Sequence, residues 1–166
     1  MSDNPEYVKT LVEKGHEPGN HSEHHYDMAT ITAGEMKTEI MDVHKKVKEL
    51  TGKDMKVFRP PYGSYNNELI DTVYGCDYYP IQWDVDSLDW KGISASEITK
   101  RVTGKVTNGS IVLFHNAGEH TPEALPDILD YLLGEGYEIV PISKLLLTNE
   151  ETYIDHTGRQ CRSAET

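Results

Sequence analysis

The sequence predicts an α/β fold, a parallel sheet with helices packed outside it. Helical and extended segments alternate along the 166 residues, in the order α-β-α-β-α-β-α-β-α-β-α, and such alternation makes right-handed crossovers between parallel strands. Residues 110–115, SIVLFH, are a continuous apolar run of the kind found in strands buried on both faces. A chain of this length buries roughly 70% of its unfolded surface, which is enough for one core.

Each element has a local reason. In residues 4–13, Pro5 suits a first helical turn, and Tyr7, Val8, Leu11 and Val12 make one apolar face that Gly15 ends. Residues 16–20 read as a short strand weakened by Pro18 and Gly19. Thr32 and Glu35 form a capping box opening a helix to about Leu50, with Met36, Ile40, Val43, Val47 and Leu50 on its apolar face and Gly52 as its stop. Residues 56–59 are a strand ended by Pro60 and Pro61, and 67–73 a short helix. Residues 79–85 are extended, and Ser94 or Ser96 caps a helix reaching about Val106. After the Asn108-Gly109 turn comes the strand at 110–115, then a helix at 122–133, a strand at 137–140 and a last helix at 141–147. That makes about five strands, too few to close a regular barrel. Residues 149–166 are polar and patternless and read as a loosely packed or disordered tail.

Composition narrows the function. Sixteen basic against 28 acidic residues give a net charge of −12, which argues against nucleic acid or an anionic membrane surface as partner and leaves a neutral polymer such as a glycan. No apolar run approaches the length that spans a bilayer, and no initial stretch has the basic-then-apolar layout of a secretory leader. An exporting segment would then have to lie upstream of Met1. Cys76 and Cys161 allow at most one disulfide and leave the redox compartment open. No GxGxxG, GxxxxGK[ST] or GxSxG motif supplies a phosphate cradle or a serine elbow.

In parallel α/β folds, functional groups gather just past the carboxyl ends of the strands. Here the strands are followed by His21-Ser-Glu-His-His25, by Arg59-Pro-Pro-Tyr62-Gly63, by Asp84-Val-Asp86-Ser-Leu-Asp89-Trp90, and by His115-Asn116. On one helical turn His21 and His25 would share a face and reach one cation, and neutral imidazole suits zinc and other borderline divalent metals. A catalytic zinc takes three protein ligands and an open position, so the pair alone does not complete a site and a structural role is the alternative. His24 points off that face and reads as a bystander. The double proline stiffens the turn after Arg59, and Gly63 permits an unusual dihedral, so the turn can aim a backbone N–H and hold Arg59 against a carboxylate. A plain strand-to-helix connection is the other reading. Of Asp84, Asp86 and Asp89, at least one is expected in an Asx turn or helix cap. His115 is either a satisfied core residue or a proton donor, and an aspartate on its ring would stabilise the imidazolium that a general acid uses. Cys76 reads as a structural thiol, and His16, His44, His120 and His156 as structural.

These segments resemble the motifs of the polysaccharide deacetylases of carbohydrate esterase family 4, and within them the bacterial sporulation-type deacetylases. The matches are GNHSEHH at 19–25, RPPYGSYN at 59–66, WDVDSLDW at 83–90 and IVLFHN at 111–116, in family order across about residues 14–147. The resemblance implies a distorted (β/α) barrel over residues 1–148 that removes N-acetyl groups from a peptidoglycan- or chitin-like glycan with a divalent metal, zinc or cobalt. It implies His21 and His25 as metal ligands, the Tyr62 backbone N–H as oxyanion donor and His115 as general acid. Asp89 is implied as the carboxylate that tunes His115, with Asp86 the second choice and a substrate contact. Trp90 and Leu113 would wall the acetyl-methyl pocket. The implied setting is extracellular or the cell envelope, with no membrane insertion.

One part of the family pattern has no match. Its first motif, a strand ending in paired aspartates that serve as general base and third metal ligand, should precede the first helix, where the sequence offers only Asp3. Arg59 matches the residue that holds that base. The expectation is a barrel incomplete at its N-terminus and a weakly active or inactive chain. Two alternatives follow: a catalytically inactive glycan-binding module, and a fragment completed by another chain or a swapped copy, which exposed strand edges would drive to self-associate.

Overall fold

The computed structural model describes residues 4–148 and 151–163. They form an α/β fold that divides into two compact units, Met1–Gln82 with Pro141–Thr166, and Trp83–Val140. No helix among the described residues is long and apolar enough to cross a membrane.

The first unit is organised by α2, Ala33–Thr51. Its capping box is formed in both directions, the Thr32 hydroxyl accepting from Glu35 N–H and the Glu35 carboxylate accepting from Thr32 N–H, and Gly52 closes it at φ +72°. Met36, Ile40, Val43 and Val47 pack into a core with Met28, Met55, Phe58, Leu69, Val73 and Tyr78. The helix α1, Pro5–Glu13, buries none of its residues, so its apolar stripe stays at the surface. The strands β1, Val57–Phe58, and β2, Tyr79–Pro80, pair in parallel, and α3, Asn67–Gly75, capped by Asn66, connects them. The strand expected at 16–20 contributes one parallel bridge, Asn20 to Phe58, because Pro18 has no N–H to give a ladder.

Three expectations are corrected. The extended segment at 79–85 does not run as one strand: its first two residues pair with β1, and its end joins a separate ladder. The helix expected at 141–147 is a single 3₁₀ turn, Ile142–Lys144. The tail expected to be loose folds, over its described residues, into an antiparallel hairpin of β5, Thr152–Ile154, and β6, Gln160–Arg162. Asp155 builds its turn, accepting from the Thr157 hydroxyl at 2.6 Å and from the Thr157 and Arg159 N–H groups at 2.8 and 3.1 Å. These bonds, led by the Thr157 hydroxyl, hold the Asp155 pKa at about 2.

In the second unit β3, Val85–Asp86, pairs in parallel with β4, Val112–Leu113. Ser94, not Ser96, caps α4, Ala95–Thr103, and closes a second capping box with Glu97. This helix lies against α5, Thr121–Gly134, and Ile98, Val102, Ala124, Ile128 and Leu132 form a core with Val85. The run at 110–115 keeps only two residues in the ladder, since Asp84 takes the Ser110 hydroxyl and the Ile111 N–H, each at 2.7 Å. Residues 137–140 form no ladder among the described residues. Tyr137 packs on the core instead, its hydroxyl donating to the Val106 carbonyl at 3.2 Å.

Candidate functional site

The histidine pair sits in the loop that leaves Asn20 in the first unit. The helical turn expected at 21–25 is absent; Ser22 and His25 both take positive φ, +64° and +57°. The loop nevertheless turns the two rings edge to face, with centroids 4.8 Å apart. His21 Nδ1 lies 2.5 Å from the Arg59 carbonyl, so in the neutral ring Nδ1 carries the hydrogen and the lone pair is on Nε2, the nitrogen a cation would use.

Asn20, Ser22 and Glu39 hold this loop. Buried Asn20 donates from Nδ2 to the Ile40 carbonyl at 2.8 Å and to the Tyr78 hydroxyl at 3.3 Å, while its Oδ1 accepts the Ser22 N–H at 3.0 Å. The Ser22 hydroxyl accepts the His25 N–H at 2.9 Å. Glu39 Oε2 accepts the Glu23 and His24 N–H groups at 3.0 and 2.8 Å, and its Oε1 takes the His24 ring at 2.6 Å. His24 is thus held by α2.

The Arg59 turn is a 3₁₀ turn, Pro61–Gly63. Gly63 has φ +67°, as expected, but Tyr62 is also left-handed at φ +59°, which costs a non-glycine residue about 1–2 kcal/mol. Tyr62 stands in the first turn, where backbone N–H groups have no intrahelical acceptor. Its ring is 69% exposed and edge-on to His25, centroids 4.7 Å apart. The Arg59 guanidinium is half-buried, and burial lowers its pKa.

The second unit carries its own cluster. Asp89 is 1% exposed. Its Oδ1 accepts the His115 ring Nδ1–H at 2.7 Å, and its Oδ2 accepts the His115 backbone N–H at 2.8 Å and the Thr121 hydroxyl at 2.7 Å. Burial alone would raise the Asp89 pKa, but these bonds and the Ser87 side chain outweigh it and hold the carboxyl below its ordinary range. Asp89, not Asp86, is thus the carboxylate on His115. Asp86 accepts the Leu88 N–H at 2.9 Å in an Asx turn, and its carbonyl takes Arg101 Nε at 2.7 Å. The Trp90 ring is exposed with Lys91 Nζ 5.1 Å above it, whereas Leu113 is buried in β4.

Thr121 and Gly118 escaped sequence reasoning. A Cβ at Gly118 would overlap Thr121 Oγ1 and lie 2.6 Å from Asp89 Oδ2, so only glycine leaves the carboxylate its place. A glycine three residues past His115 was the available signal. Among the described residues no three His, Cys, Asp or Glu side chains converge on one point. The two histidines are thus two donors of the right chemistry for a divalent cation, with no third His, Cys, Asp or Glu joining them among the described residues. Cys76 and Cys161 are free thiols, and burial pushes the Cys76 pKa up, as suits a structural thiol.

Comparison with known proteins gives a consistent picture. The polysaccharide deacetylase family model matches residues 1–81. The chain is 37% identical over 142 residues to the peptidoglycan-N-acetylglucosamine deacetylase PgdA of Listeria monocytogenes, covering 86% of this chain and 30% of that protein. It is 33% identical over 148 residues to a peptidoglycan-N-acetylglucosamine deacetylase of Bacillus cereus, covering 86% of this chain and 69% of that one. Among solved structures it resembles BA3943, a CE4 family pseudoenzyme of Bacillus anthracis, with TM-score 0.83 and 30% identity over 87% of this chain and 51% of that one. The chain spans 30%, 46% and 55% of the length of several relatives it matches.

Proposed function

Because the chain belongs to the polysaccharide deacetylases of carbohydrate esterase family 4, we propose that it hydrolyses N-acetyl groups of a cell-wall glycan, releasing acetate and leaving a free amine on the sugar. The observation that carries this reading is the His21–His25 pair, edge to face at 4.8 Å, with the His21 tautomer set by the Arg59 carbonyl. His21 and His25 would hold the divalent cation, with zinc the first choice and cobalt the second. Such a cation supplies Lewis acidity and a water acidified into the neutral range.

The remaining roles fall on this chain's own atoms. The Tyr62 N–H donates to the acetyl oxygen as negative charge develops there. Asp89 fixes the His115 ring through Nδ1, which leaves Nε2 to protonate the departing amine. Trp90 and Leu113 border the acetyl methyl. The fold class proposed is the distorted (β/α) barrel of the family, and the setting the cell envelope or its exterior, since relatives are named for peptidoglycan. The sequence has no Asp-Asp pair, and a positioned base contributes about 10²–10⁴-fold, so turnover by these residues alone is slow.

A second reading, a glycan-binding module without turnover, is favoured by the likeness to a protein titled a pseudoenzyme. Acetate release from N-acetylated chitooligosaccharides and peptidoglycan fragments with added zinc separates the two. Slow release, abolished by chelator and by His115→Ala, is the expected result. Glycan binding indifferent to chelator, with no acetate, would establish the second reading.

A further inference from the structure

Glu39 was not among the residues the motifs single out, yet it makes three hydrogen bonds to the histidine loop from a position only 6% exposed on α2. The loop needs outside support. Ser22 and His25 both sit in the left-handed region, a conformation that persists only when its surroundings over-determine it. Two anchors from α2 supply this. The Ile40 carbonyl takes the Asn20 side chain at the start of the loop. One oxygen of Glu39 receives two successive backbone N–H groups in the middle of it, and the other receives the His24 imidazole. Lys46, also on α2, pairs with Glu23 from outside. A carboxylate that accepts two consecutive N–H groups fixes the direction of the peptide between them, and hence where the chain enters His25.

We propose that Glu39 is a positioning residue for the His21–His25 pair, acting through the Glu23–His24 backbone rather than by touching cation or substrate. The proposal rests on the reading of those two histidines as the cation's ligands. It makes a demand that a merely structural glutamate would not: loss of Glu39 must disorder the 22–25 loop and weaken cation binding while the core of α2, built from Met36, Ile40, Val43 and Val47, stays folded.

The test is cobalt(II) titration of the full chain, followed by its visible absorption, together with amide hydrogen exchange of the metal-free protein. In Glu39→Ala the Glu23 and His24 amides should lose protection, and cobalt affinity should fall about 10–100-fold, as for other groups that orient ligands from behind. Glu39→Gln keeps one acceptor oxygen and the side-chain shape; it should fall between wild type and Glu39→Ala, and it decides the matter if the alanine variant does not fold. Wild-type cobalt affinity in a folded Glu39 variant, or unchanged exchange of the two amides, would overturn the proposal alone. A wild-type chain that takes up no cobalt would overturn the metal reading and this proposal with it.

Discussion

Asp89 receives two hydrogen bonds from a single partner, the His115 ring at 2.7 Å and the His115 backbone N–H at 2.8 Å. The first aims the imidazole and the second ties it to the main chain at the end of β4, so ring orientation is set by the same carboxylate that would stabilise a charged ring. With its pKa held below the usual carboxylate range, Asp89 binds its proton less tightly folded than unfolded. Its contribution to stability is present above the unfolded value near ~3.9 and is lost as pH falls through the folded one. The difference in denaturant midpoint between wild type and Asp89→Asn should be wide above about pH 5 and narrow steadily below about pH 4. A gap independent of pH would contradict this.

Gly118 and Thr121 complete that cluster, and each fails differently. Gly118→Ala drives a methyl into Thr121 Oγ1 and towards Asp89 Oδ2, an overpacking that should cost about 1–3 kcal/mol. Thr121→Val removes a 2.7 Å donor to a buried charge, worth about 1.5–3 kcal/mol. Urea unfolding reads both, and the NMR signals of the His115 ring should shift in both variants. An unmoved ring in Gly118→Ala would show that the crowding is absorbed elsewhere.

Asn20 links the first ladder, α2 and the histidine loop. Asn20→Ala leaves the Ile40 carbonyl, the Tyr78 hydroxyl and the Ser22 N–H short of a partner in a position 1% exposed. The expected loss is about 2–4 kcal/mol by chemical denaturation. A loss under about 1 kcal/mol would mean that water replaces the side chain at little cost.

Five helices were legible because their signals are local, whereas residues 141–147 form only a 3₁₀ turn. Thr32 with Glu35 and Ser94 with Glu97 each form the reciprocal cap that their three-residue spacing predicts. Strand extent was not, because a ladder depends on the partner. The SIVLFH run reads as six residues of strand, yet Asp84 takes the Ile111 N–H and only Val112 and Leu113 pair with β3. The spacing of His21 and His25 suggests a helical turn, whereas a loop with two left-handed residues brings the rings together. That geometry is enforced by Glu39, fifteen residues after His24, and by Asn20, whose partners Ile40 and Tyr78 lie far along the chain. No spacing rule reaches such contacts. The hairpin at 152–162 was hidden because Asp155 builds its turn with side-chain bonds inside an otherwise patternless polar stretch.

Isothermal titration of the metal-free chain with zinc, beside His21→Ala and His25→Ala, bears most directly on whether the two imidazoles share one cation. One zinc per chain is predicted, with binding weakened at least about tenfold in each single variant and lost when both are combined. Zinc uptake unchanged by either substitution, or none in the wild-type chain, would contradict it.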